Sequence, residues 1–217
     1  LATPEQFAGR ILSDCLGAAE VVVGENFRFG HRARGDVRLL EQIGRTLSFG
    51  VIPLNLLTTD NAGQAVSSTM IRQLVAEGDV AAAARALARP HRVEGTVVSG
   101  DGRGTGLGFP TANLSMTPFP AVPADGVYAG RIIVDPYGEH DVHSAAISIG
   151  TNPTFDDVVD HRVEAWAYDG GQLDLYDRPL AIDFAARIRD QIKFSSEDEL
   201  AAAVAQDAVA IRQVLGE

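Results

Sequence analysis

Up to Arg89 the apolar positions alternate between two periods. Thr3 precedes Pro4, Glu5, Gln6 and Phe7, a hydroxyl cap with proline at the first helical position, and this predicts a helix running to Leu16. Val21 to Val23 read as a short buried strand. Asp36 to Ser48 carry Val37, Leu39, Leu40, Ile43 and Leu47 near helical spacing, and Val51 to Leu57 form a second apolar strand. Ser68 to Glu77 and Asp79 to Leu87 predict two short helices parted at Gly78. This alternation of helix and strand describes an α/β layer, here only part of one.

From His91 the pattern changes to short runs rich in Val, Ile, Thr and Tyr between Gly, Pro and Asp: Arg92 to Ser99, Gly126 to Val134, Ser144 to Ile149, Arg162 to Tyr168 and Pro179 to Ile188. Strands at this spacing predict an antiparallel sandwich or small barrel. Ser196 is followed by Glu197, Asp198 and Glu199, acids suited to the first turn of a helix. That helix runs through Leu200, Val204, Ala208, Ile211 and Leu215, and its apolar stripe is expected to pack on the barrel. The change of pattern at Arg89-Pro90 places a domain boundary there, giving domains 1–88 and 89–217.

Composition narrows the class. A chain of 217 residues, 46% hydrophobic, is long enough for two small cores and carries no signature of disorder. Its 18 basic and 29 acidic residues leave a net charge of −11, which opposes nucleic acid or an anionic membrane surface as a partner. Lys193 is the only lysine, so a charged phosphate contact falls to arginine. Cys15 is the only cysteine; it excludes a disulfide framework, and its apolar spacing predicts a buried, inert thiol. No apolar run approaches the roughly 18 residues of a membrane helix, and a cytoplasmic enzyme is expected.

The candidate chemistry begins in Gly100 to Asn113, GDGRGTGLGFPTAN. Gly100, Gly102, Gly104, Gly106 and Gly108 are followed at once by Phe109, Pro110, Thr111, Ala112 and Asn113. Glycines at this density let backbone N–H groups converge on an anion such as phosphate; a plain β-turn explains the same composition. Thr111 and Asn113 stand two apart, so in an extended segment both would present oxygens on one face, a donor set that suits magnesium. In Arg162 to Tyr168 alternation puts Val163, Ala165 and Ala167 on one face and Glu164, Trp166 and Tyr168 on the other. Glu164 is then either a solvated surface carboxylate or a base.

GLGFPTAN, with Pro123 to Gly130, Ser148 to Phe155, Val163-Glu164-Ala165, Asp174-Leu175-Tyr176, Arg187-Ile188-Arg189 and Lys193-Phe194 in order, resembles the riboflavin kinase family over about Arg89 to Glu217. Thr105 and Asp177 depart from the family's pattern, which often has Arg and Gly there. The resemblance implies a six-stranded Greek-key barrel with a C-terminal helix, and ATP-dependent phosphorylation of riboflavin to FMN. It implies Glu164 as the catalytic base, Gly100 to Gly108 with Phe109, Pro110, Thr111 and Asn113 as the ATP site, and Thr111 and Asn113 as Mg2+ ligands. Trp166 or Tyr168 would stack on the flavin or serve as packing. Arg187 and Arg189 would reach phosphate or form an exposed pair, and Asp125 reads as a turn residue.

Upstream, Val21 to Gly30 and Ser67 to Arg72 resemble the adenylyltransferase half of bacterial FAD synthetases, a Rossmann-type nucleotidyltransferase. The resemblance implies Asn26, Phe27 and Phe29 on the flavin side and Ser67, Ser68, Thr69 and Arg72 at the nucleotide; Ser-Ser-Thr is equally an ordinary helix cap. That family's opening strand and histidine phosphate site have no counterpart from Leu1 onward. Adenylylation of FMN to FAD, a property of an intact parent, is therefore expected to be lost. Residues before Arg89 are expected to be mobile or covered by another chain, with self-association through the incomplete domain. The alternative to a kinase is a non-catalytic fragment that holds flavin or nucleotide.

Overall fold

Two hydrophobic cores organise the chain. One gathers Ala8, Phe29, Leu40 and Phe49; the other is built on Val93, Leu114, Tyr128, Ile132, Ile147, Ile149, Val163, Ile182 and Phe184 among others. They belong to two compact units, Leu1–Val66 and Ser67–Glu217. A computed structural model describes residues 2–58, 65–100, 109–116, 121–151, 161–168 and 173–217.

In the first unit, α1 (Pro4–Phe7) opens on a capping box: Thr3 Oγ1 accepts from Gln6 N at 3.2 Å, and Gln6 Oε1 accepts from Thr3 N at 3.0 Å. The helix continues as a π-helix over Ala8–Cys15. Strand β1 (Glu20–Gly24) leads toward α2 (Val37–Leu47), whose cap Asp36 accepts from Leu39 N at 2.9 Å, and then to β2 (Gly50–Leu54). The two strands pair in parallel with Val22 opposite Ile52. Val21, Val23 and Val51 pack on the core, whereas Val22, Ile52 and Leu54 are 55%, 40% and 52% exposed on the other face.

Cys15 is exposed, not buried. Its apolar spacing presupposes an α-helical repeat. In the π-helix the bonds close five residues apart, as in Leu16 N to Ile11 O at 3.0 Å, and the wider turn carries each side chain off the face that an α-helix would give it.

The second unit begins with α3 (Ser68–Ala76) and α4 (Val80–Leu87). Strands β3 (His91–Val98), β4 (Ala112–Met116), β5 (Gly126–Val134), β6 (Asp141–Thr151), β7 (His161–Ala167) and β8 (Pro179–Arg189) follow, and α5 (Glu197–Leu215) comes last. The strands close into an antiparallel barrel in the order β3-β4-β7-β6-β5-β8. β5, β6 and β7 succeed one another and β4 returns beside β7, the Greek-key arrangement. β4 is the strand that hydrophobic patterning does not mark, because ANLSM is short and half polar. Its Ala112 and Leu114 nevertheless alternate into the core.

Both helical attachments are anchored on the barrel. Val80 of α4 is fully buried in the barrel's cluster. The turn before it places Gly78 at φ +81°, and a Cβ there would also stand 2.7 Å from the Tyr128 hydroxyl. The α3–α4 turn thus fits only glycine. The break between the units falls at Val66/Ser67, and the proline junction at Arg89-Pro90 lies inside the second unit, between α4 and β3. At the other end Ser196 Oγ caps α5 by accepting from Glu199 N at 3.2 Å. Arg189 then grips Asp207 of α5 through Nε to Oδ1 at 2.9 Å and Nη2 to Oδ2 at 2.7 Å, with Asp207 only 7% exposed beside buried Ala208 and Ile211.

Candidate active site

The barrel register draws one row of side chains across its outer face. Val163 and Ala165 of β7 point into the core, so Glu164 between them points out. Asn113 of β4 lies opposite Glu164 on one side and Ser148 of β6 on the other. Directly opposed residues on neighbouring antiparallel strands hold their Cβ atoms about 4.5–5.5 Å apart. The row continues from Ser148 to Val127 of β5 and from Val127 to Arg189 of β8. An amide, a carboxylate and a hydroxyl therefore stand side by side from three strands that are far apart in sequence.

Each of the three is held. Asn113 is only 9% exposed, and a Cβ on Gly100 would lie 2.0 Å from its amide nitrogen, so the Gly100 backbone closes directly over the amide. Arg162, two residues before Glu164 on the same strand face, brings Nη1 to 3.7 Å from Glu164 Oε1. Ser148 Oγ accepts from Gln191 Nε2 at 2.8 Å, and the same nitrogen donates to Ile149 O at 2.9 Å. Arg162 and Gln191 have no motif of their own in the sequence.

Phe109 packs edge-on against Trp166 at 4.9 Å between centroids, which ties the FPTAN segment to the strand that carries Glu164. Pro110 is exposed and Thr111 half-buried, just ahead of β4 and two residues from Asn113. Gly102, Gly104, Gly106 and Gly108 lie outside the described residues, as do Asn152 to Phe155. Trp166 also contacts Tyr168 at 6.1 Å, and Arg212 of α5 lies 5.3 Å over the Tyr168 ring. Tyr168 donates to Glu217 at 2.9 Å and Ser144 donates to the other carboxylate oxygen. Those bonds, Ser144's first, hold the Glu217 carboxyl below the usual carboxylate range.

The remaining candidates disperse. Arg189 is committed to Asp207, and Arg187 donates to Asp125 O at 2.6 Å and pairs with Asp190 at 3.0 Å. Asp177, where the family's pattern has glycine, holds φ at +60°. In the first unit Asn26 is exposed, and Phe29 is buried in the core with its ring stacked on Phe27 at 5.6 Å. Ser67 caps α3 by accepting from Met70 N at 3.2 Å, while Ser68, Thr69 and Arg72 are exposed on its first turns. Among the described residues no cluster of His, Cys, Asp or Glu could hold a metal ion, and no helix is long and apolar enough to cross a membrane.

The neutral oxygens near Glu164 are of the kind that suits magnesium shared with phosphate oxygens. Thr111 and Asn113 offer neutral oxygens, the Glu164 carboxylate stands opposite Asn113, and the absent Cβ at Gly100 leaves the Asn113 amide its place. Hard oxygen donors of this type suit an ion that keeps water and phosphate as its other ligands.

Comparison with known proteins gives this closed barrel its class, that of a phosphotransferase. Residues 87–215 match the family model described as riboflavin kinase and residues 1–70 the one described as FAD synthetase; the chain belongs to the riboflavin kinase family. It is 33% identical over 214 residues to the bifunctional riboflavin kinase/FMN adenylyltransferase of Escherichia coli K12, covering 99% of this chain and 66% of that protein. It is 34% identical over 207 residues to the protein of the same name from Pseudomonas fluorescens, covering 95% and 64%. The chain thus spans about two thirds of the length of these curated relatives. A crystal structure of a protein described as a macrolide-efflux protein from Streptococcus pneumoniae superposes with a TM-score of 0.82 at 29% identity, over 97% of this chain and 65% of that one.

Proposed function

We propose that the barrel unit transfers the γ-phosphoryl group of ATP to the terminal ribityl hydroxyl of riboflavin, giving FMN and ADP. The observation that carries this reading is the register that sets Glu164 between Asn113 and Ser148, at the exit of the FPTAN segment. Glu164 accepts the hydroxyl proton as the new P–O bond forms and the bond to ADP breaks. Arg162 stands beside it, with Nη1 3.7 Å from Oε1. Thr111 and Asn113 would hold Mg2+, which when bound offsets charge on the phosphate oxygens. Phe109 against Trp166 keeps the segment bearing both ligands at a fixed distance from the base. Most of the rate then comes from positioning, as expected for phosphoryl transfer.

The test is conversion of riboflavin to FMN by the purified chain with Mg-ATP, separated by chromatography, against a control without metal. Metal-dependent FMN is expected. Glu164→Gln should retain riboflavin binding and lose at least about a hundredfold in kcat, the usual contribution of a positioned base. Turnover at the parental rate by that variant would sink the assignment. The same reading puts the chain in the cytoplasm, where ATP is held, and the exposed Val22, Ile52 and Leu54 support self-association through the first unit.

A further inference from the structure

We propose that Gln191 is a positioning residue for Glu164 and acts through Ser148; the inference rests on Glu164 as the base. Gln191 follows the end of β8, is exposed, and lies 43 residues from Ser148 in sequence. Its amide nitrogen nevertheless donates twice into the sheet, to Ser148 Oγ and to Ile149 O. The second bond ties the amide to a carbonyl whose place the barrel fixes. The first makes Ser148 an acceptor.

A hydroxyl has one proton to give. With Gln191 filling one of its acceptor positions, Ser148 keeps that proton for an acceptor elsewhere on its face. On β7 the residue directly opposite is Glu164. The charged group facing Glu164 from its own strand is Arg162; β4 and β6 present Asn113 and Ser148, which are neutral, and Arg189 at the far end of the row is engaged by Asp207. Ser148 is thus a neutral donor that can hold one carboxylate oxygen while the other meets the substrate hydroxyl. Gln191 sets the rotamer from which it does so, and a carboxylate held this way needs less reorientation as the proton moves.

The experiment is steady-state kinetics on the full chain with riboflavin and Mg-ATP, with thermal midpoints measured in parallel. Gln191→Ala is expected to lower kcat by roughly tenfold with KM for both substrates unchanged, since small displacements of a reacting group cost factors of this order. Being exposed, it should leave the thermal midpoint where it was. Ser148→Ala should give a similar fall, the double variant should be no slower than the worse single, and in a Glu164→Gln background Gln191→Ala should cost nothing more. Parental kcat in Gln191→Ala, or losses that multiply in the double variant, would overturn the inference while leaving Glu164 in place. Parental kcat in Glu164→Gln would instead overturn the base itself, and this inference with it.

Discussion

A methyl group at position 100 would stand 2.0 Å from the Asn113 amide nitrogen and 2.5 Å from its Cγ, so the two cannot coexist unless Asn113 turns away. Asn113 is one of the two proposed magnesium ligands, and its neighbour across the strands is Glu164. Gly100→Ala is therefore expected to reduce kcat/KM for Mg-ATP by about tenfold or more, with riboflavin affinity retained. Titrating activity against Mg2+ checks it: the variant should need more metal, and a parental metal dependence would show that Asn113 is not a ligand. The outward faces of Glu164 and Asn113 were legible one by one, because alternation gives a side chain's face from its neighbours alone. That Glu164 faces Asn113 and Ser148 was not, since register depends on the closure of the whole barrel. Gln191 was invisible for the same reason, its tie to Ser148 joining two loop-distant segments.

At the scale of elements, the helices and strands that repeat a clear period were readable, and those that break one were not. β4 offers Ala112, Leu114 and Met116 to the core over only five residues, too short a run to mark a strand until β3 and β7 flank it. The π-helix breaks the α-helical period, and its wider turn leaves Cys15 exposed. α5 is readable from its acidic first turn and its stripe, but its fastening is not: Asp207 sits among apolar positions and takes its meaning from Arg189 on β8. Removing the carboxylate leaves the Arg189 guanidinium, itself largely covered, without its partner. Asp207→Asn should cost about 2 kcal/mol, below the full penalty of a buried pair because Arg189 keeps some contact with water. A lower urea midpoint at unchanged m-value is the expected reading, and an unchanged midpoint would mean that α5 is held without this ion pair, by Ala208, Ile211 and the contacts of Arg212 and Glu217.

For the whole molecule, two separate cores imply that the chain does not unfold as one. The first unit buries few side chains and leaves Val22, Ile52 and Leu54 exposed on its sheet, so it should melt before the barrel. We propose that the kinase domain begins at Ser67, ahead of the boundary that the sequence pattern places at Arg89, because α4 contributes Val80 to the barrel core and Gly78 seats the α3–α4 turn on Tyr128. A chain of residues 67–217 should then show a single thermal transition matching the later one of the full chain, and should phosphorylate riboflavin at its rate. A chain of residues 89–217 loses Val80, a burial worth about 1.5–3 kcal/mol, and uncovers the apolar surface beneath it. Its midpoint should fall by roughly 5–10 °C, the shift such a loss produces in a domain of this size. Equal midpoints for the two shorter chains would put the boundary at Arg89 and leave α3 and α4 as a connection between the units. A lower midpoint for the shorter chain would make them part of the kinase, with Ser67 to Arg72, the segment that resembles an adenylyltransferase motif, carried on the barrel's own unit.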